Sequence, residues 1–254
     1  MIELKDIVVA YGERKVYDHL NLTVKDGETL AILGGSGAGK STLLRLLIGL
    51  QRANSGQIII DGTDIMKLTE DEFDKMRVHM GMVFQYSALF DSMNVFENVA
   101  FALRMHTKMK EDEIKAVVAD KLRLVGLPGI EEYMPSELSG GMKKRVGLAR
   151  AIAFNPSIVL YDEPTSGLDP VTSGTIGRLI KSMQRHLGCT SLVVTHDMNL
   201  AFDVADRIGL VGDKHFIALA PTDEFKNSTN PVVQNFIHGI DPDALIDDGK
   251  GMRA

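Results

Sequence analysis

The sequence predicts an α/β fold: a parallel sheet flanked by helices, preceded by antiparallel β-structure and interrupted by a helical insertion. Three observations predict it. From Ile158 to Val211, short apolar runs alternate with helix-spaced segments, the pattern of a sheet covered on both faces. The glycine-rich segment Gly34 to Gly39 joins an apolar run to a leucine-faced stretch. The turn pairs Asp26-Gly27 and Asp61-Gly62 punctuate the first part of the chain, as the ends of antiparallel strands do.

In chain order, a first strand ends at Tyr11, and Val16 to Val24 reads as a strand running into Asp26-Gly27. Thr29 to Leu33 is mainly apolar and stops at glycines, as a buried central strand does. Leucines recur on one helical face from Lys40 to Leu50, and Ile58 to Ile60 is a strand meeting Asp61-Gly62. Gly81 to Phe84 reads as a strand. From about Phe96 to Phe154 the spacing turns helical, with Glu111 to Val125 amphipathic and a further helix predicted from about Met142 to Phe154. Strands at Ile158 to Tyr161, Ser191 to Val194 and Ile208 to Val211 then alternate with helices at Val171 to Leu187 and Leu200 to Ala205. The acidic, glycine-bearing stretch Asp241 to Ala254 is expected outside the core.

Composition narrows the function. A chain of 254 residues buries a substantial core unaided. Its net charge of −6 argues against a nucleic-acid partner held by a basic surface. The single cysteine, Cys189, forbids an intrachain disulfide and fits a reducing compartment. The longest apolar runs, such as Ile7 to Tyr11 and Val99 to Leu103, hold five residues, against the roughly 20 that span a bilayer. The N-terminus lacks a basic region followed by an apolar one, so a cytoplasmic location is expected.

Gly34-Gly35-Ser36-Gly37-Ala38-Gly39-Lys40-Ser41 satisfies G-x-x-x-x-G-K-[ST] between a strand and a helix. Glycines let successive N–H groups point inward at phosphate oxygens, and the helix that runs on through Thr42 adds the positive end of its dipole. Lys40 is placed to reach the β- and γ-phosphates, and the Ser41 hydroxyl to ligate Mg²⁺. Asp162-Glu163 follows the apolar run Ile158 to Tyr161 at a strand's C-terminal end, where ligands of open α/β sheets gather. Asp162 is the candidate for Mg²⁺ and Glu163 for the general base. Leu138-Ser139-Gly140-Gly141-Met142 is a second anion-binding helix terminus, capped by Ser139. One chain hardly needs two such sites on the same phosphates, but two copies packed head to tail would use both.

Together, Gly34 to Ser41, Gln85, Leu138 to Met142, Asp162-Glu163, Ser166-Gly167-Leu168-Asp169 and His196 resemble the ATPase subunits of ABC transporters. The resemblance covers the chain from about Ile2 to Leu219. It implies a P-loop NTPase (RecA-like) core with an N-terminal antiparallel β-subdomain and an inserted α-helical subdomain. The core would comprise residues 1–85 and 158–225, the helical subdomain 86–157, and a C-terminal helix and tail 226–254. ATP and Mg²⁺ are the implied cofactors, and a homodimer the implied assembly. Tyr11 would stack on adenine, and Gln85 would touch Mg²⁺ and the lytic water at the hinge to the insertion. Ser139 and Gly141 would contact the γ-phosphate held by the opposite subunit. Asp169 would lie across the dimer seam, and His196 would hydrogen-bond the γ-phosphate.

A narrower resemblance rests on Ser87-Ala88-Leu89-Phe90, Met93 to Phe101, Met105-His106-Thr107, Met134 to Met142, and Asn230-Pro231 with Gln234-Asn235-Phe236. These look like the ATPases of Mla-type systems, which traffic phospholipids between bacterial envelope membranes. That resemblance implies an integral-membrane (MlaE-like) permease, an MCE-domain protein, possible recruitment of a STAS-domain subunit, and peripheral binding at the cytoplasmic face of the inner membrane. Leu89, Phe90 and Met93 are the candidate surface for the permease. A chromosome-organising ATPase would need a long coiled coil between Gln85 and Leu138, and a translation factor a second cassette; neither is present. ATPases of other ABC importers or exporters, and soluble cassettes of the iron–sulfur assembly type, remain the alternatives.

Overall fold

The computed structural model describes residues 1–240; the predicted tail Asp241 to Ala254 lies outside the described residues. Strands β1 (Ile2–Tyr11), β2 (Arg14–Val24), β4 (Ser55–Ile60) and β5 (Thr63–Asp64) form an antiparallel sheet in the order β2-β1-β4-β5. Ile2 and Leu4 point inward from β1, and so do Ile7 and Val9. The change of parity is taken up between Leu4 and Ile7, where the register slips and Asp6 adopts a φ of 56°, as at a β-bulge.

The second sheet contains β3 (Thr29–Gly34), β6 (Met80–Val83), β7 (Ile158–Asp162), β8 (Thr190–Val194), β9 (Arg207–Gly212) and β10 (His215–Pro221), in the order β10-β9-β3-β8-β7-β6. All neighbours are parallel except β9 and β10. Every residue of β3 and β8 is buried, which is why these strands read as continuous apolar runs rather than as an alternation. Ile158 and Leu160 of β7 pack with Leu43, Leu44 and Leu47 of α1 (Lys40–Leu47) and with the antiparallel sheet. Val159 and Tyr161 face the other way, into a core shared with α3 (Val95–His106), α4 (Glu111–Leu124), α5 (Gly140–Ala151) and α6 (Pro170–Leu187). A smaller cluster joins β3 and β9 to α7 (Met198–Val204), α8 (Thr222–Lys226) and α9 (Pro231–Ile237) through Leu33, Leu210, Phe225 and Val233.

Several helix boundaries differ from the sequence expectation; the helix expected to reach Phe154 ends at Ala151, and the one expected from Leu200 starts at Met198. The helix predicted for Lys40 to Leu50 ends at Leu47, and Gly49 beyond it takes a φ of 70° against the Phe73 ring. The helix predicted from Met142 already starts at Gly140, because Ser139 accepts from the Met142 N–H and caps it there. Strand β10 and helix α2 (Glu70–Arg77) were not foreseen. The side chains of β10 between its two ends are all half-buried, so no in–out alternation marks it.

Gly81 of β6 locks the sheet to the helical layer. A Cβ there would lie 2.4 Å from the carbonyl oxygen of Ala151 at the end of α5. Gly81→Ala is therefore expected to cost about 1–3 kcal/mol by overpacking, read as a lower Tm; an unchanged melt would mean that α5 does not press on this strand.

Candidate functional site

The glycine loop between β3 and α1 is shaped by residues only glycine suits. Gly37 and Gly39 have φ of 76° and 99°, in the left-handed region that side chains disfavour. A Cβ on Gly39 would also sit 2.6 Å from Val16 Cγ1, and the Tyr17 hydroxyl donates to the Gly39 carbonyl at 2.8 Å. Strand β2 thus supports the loop from behind. Lys40 folds back over the loop, donating from Nζ to the carbonyls of Gly34 (2.8 Å) and Gly35 (3.0 Å). Burial holds its ammonium below the usual lysine range, while Glu163 and Asp162 pull the other way.

Sheet order assembles the rest. Because Asp162 of β7 is paired with Val194 of β8, Glu163 emerges beside Thr195 and His196. Glu163 Oε2 accepts from Thr195 Oγ1 and from the His196 N–H, both at 3.3 Å, and lies 2.8 Å from His196 Nδ1. Glu163 itself has a φ of 47°, in the left-handed region. Ser41 Oγ donates to Asp162 Oδ1 at 2.9 Å. Burial pushes the Asp162 carboxyl up, with Glu163 adding to the effect and the Ser41 hydrogen bond opposing it. Gln85, just past β6, donates from Nε2 to Ser166 Oγ at 3.3 Å.

The loop opens into a cleft of about 870 Å³ whose lining includes Gly34 to Ser41, Thr42, Gln85, Glu163 and His196. Tyr11 stands at its mouth, 53% exposed, with its hydroxyl donating to Gln51 Oε1. Ser139, Gly140, Gly141 and Asp169 do not line it. They lie apart from it, Ser139, Gly140 and Asp169 exposed and Gly141 half-buried, where Ser139 caps α5 and Asp169 caps α6. There a Cβ on Gly141 would lie 2.7 Å from Thr172 Cγ2. Of the three residues expected to meet a permease, Phe90 lines a second groove of about 530 Å³ with Phe84 and Phe101. Leu89 instead packs against the helical core, and Met93 is half-buried.

Sequence reasoning missed Arg14, Val16, Arg45 and Phe236 in the cleft lining. Arg45 follows Ser41 by one helical turn, a spacing that was available as a signal. Phe236 comes from α9, and nothing local connects it with the loop.

A glycine loop at a helix N-terminus, a lysine laid across it, and paired carboxylates where parallel strands end define the class: a P-loop NTPase. Residues 17–166 match the ABC transporter family. The chain is 43% identical over 239 residues to the intermembrane phospholipid transport system ATP-binding protein MlaF of Haemophilus influenzae, covering 94% of this chain and 90% of that one. It is 45% identical over 238 residues to the probable ribonucleotide transport ATP-binding protein mkl of Mycobacterium tuberculosis, but spans only 66% of that longer protein. Among solved structures, a dimeric ATP-binding cassette in a post-hydrolysis state with ADP and Pi superposes with a TM-score of 0.81 at 34% identity, over 87% of this chain and 99% of that one. A cassette from Clostridium perfringens, cbiO1 of the ABC transporter complex cbiONQ, gives 0.83 at 30% identity, over 93% and 94%. The chain belongs to the ABC transporter family and is an ATP-binding cassette of it, in a family whose ATP-binding subunits are ATPases.

Proposed function

We propose that two copies of this chain close around two ATP molecules, hydrolyse them, and so drive a separate membrane permease in phospholipid trafficking. One observation carries the dimer: the Ser139–Gly141 helix terminus lies outside the cleft that holds the phosphate loop. A second copy would present that terminus to the γ-phosphate. Similarity to a dimeric cassette supports the same arrangement. On this reading residues 1–254 are one cassette, with the core in 1–85 and 158–225, the helical part in 86–157, and the C-terminal helix and tail in 226–254.

The geometry supports the following roles. Lys40 exchanges its two loop carbonyls for phosphate oxygens, and Tyr11 stacks on the base. Ser41, Asp162 and Gln85 are the candidate Mg²⁺ ligands. Their oxygens suit a hard cation, and the hydroxyl and carboxylate of the first two are already 2.9 Å apart. When bound, Mg²⁺ would neutralise charge on the phosphates. Glu163 takes the proton of the attacking water, and the donors from Thr195 and His196 hold its carboxylate in place. Asp169 sits at the seam between copies, beside the Ser139 turn. Loss of the γ-phosphate removes the bridge and lets the halves part.

No helix of the described residues is long and apolar enough to cross a membrane, so the transported molecule would pass through a partner. The groove at Phe84, Phe90 and Phe101 is where the permease would dock, at the cytoplasmic face of the inner membrane. Phospholipid is the favoured cargo because the relative matched over 90% of its length is a phospholipid-transport subunit. An MlaE-like permease, an MCE-domain protein and a STAS-domain subunit are the corresponding partners.

Affinity purification of the full chain from detergent-solubilised membranes is expected to bring down an integral-membrane protein. The reconstituted complex should then move labelled phospholipid between vesicles only with hydrolysable ATP. A soluble scaffold complex without a membrane protein would instead support the iron–sulfur assembly alternative.

A further inference from the structure

Helix α5 presents Lys144, Gly147 and Arg150, spaced three apart and so on one face, to the loop that follows β6. Arg150 Nη1 and Nη2 donate to the carbonyls of Ala88 and Ser87, each at 2.7 Å. Gly147 faces Ser87, which a Cβ there would meet in ordinary contact at 3.5 Å. Ser87 and Ala88 hold left-handed φ of 62° and 46°, a pair of strained conformations that persists only where surrounding contacts impose it. The face of α5 supplies those contacts, so helix and loop form one unit.

Lys144 extends that unit into the reaction centre. The residue is 6% exposed and does not line the nucleotide cleft. Its Nζ donates to the carbonyl of Gln85 and, at 3.4 Å, to the carbonyl of Glu163. A buried ammonium costs free energy unless its donors are used. Here both acceptors are main-chain oxygens, one on each of the two residues proposed to face the attacking water.

We propose that Lys144 is a positioning residue for hydrolysis: by tying the main chain at Gln85 to that at Glu163, it aims the Glu163 carboxylate. This inference rests on Glu163 acting as the base.

The test compares Lys144→Met, Lys144→Arg and Glu163→Gln in the full chain. In Lys144→Met, kcat for ATP is expected to fall about tenfold or more while KM for ATP stays within about twofold, since misplacing a reacting group by a fraction of an ångström costs rate rather than binding. Lys144→Arg keeps charge and donors and should recover most of the rate. A purely structural lysine would lower rate, ATP affinity and Tm together without rescue by arginine, and that outcome overturns the proposal. So does a wild-type rate in Lys144→Met beside a stalled Glu163→Gln. A wild-type rate in Glu163→Gln would instead overturn the assignment of the base itself.

Discussion

Glu163→Gln is expected to bind ATP as tightly as the wild type, to accumulate as a closed dimer, and to turn over at least about a hundredfold more slowly. The amide has the shape of the carboxylate, and its oxygen still accepts from Thr195 Oγ1 and the His196 N–H, so the local structure survives. What it lacks is a basic oxygen to receive the proton of water, and general-base catalysis typically contributes about 10²–10⁴ in rate. Binding is expected not to suffer, because the groups proposed to hold the phosphates lie elsewhere, in the loop and at Lys40. Calorimetric titration with ATP measures the binding, light scattering with ATP present measures the dimer, and phosphate release under single-turnover conditions measures the slowed hydrolysis. Hydrolysis at the wild-type rate would remove Glu163 from the mechanism.

Lys40→Ala should abolish the tight binding on which that experiment depends. The ammonium rests on the carbonyls of Gly34 and Gly35, over the loop, where it need only change acceptors to meet a phosphate. Each charge-assisted hydrogen bond it would make to phosphate is expected to contribute about 1.5–3 kcal/mol. Alanine at the first position of α1 is a good helix former, so the fold should hold while ATP affinity falls about a hundredfold or more. Calorimetric titration with ATP and Mg²⁺ checks this. A loss of less than about threefold would mean that the loop N–H groups and the helix terminus hold the triphosphate without the lysine.

Much of this could be read from the residues in order. The phosphate loop was legible because its shape is set within eight residues by glycines whose left-handed backbone no other residue favours. The buried strands were legible from unbroken apolar runs, and the Ser139 helix start from its capping residue. Strand β10 was not legible: it is half-buried and lacks the alternation that periodicity detects. Phe236 and Lys144 were invisible as site residues, since one is an ordinary aromatic on a short helix and the other one of two adjacent lysines.

From the sequence alone came the class of the protein, its phosphate loop, its paired acids and its serine-capped, glycine-led second helix start, because each is a local matter of residue type and spacing. Only the tertiary structure decided which of these meet. The β7–β8 pairing brings Glu163 to His196, the packing of α1 against β7 brings Ser41 to Asp162, and the face of α5 brings Lys144 to both Gln85 and Glu163. Strand order and helix docking are set by long-range burial summed over the whole core, which no short stretch of chain contains.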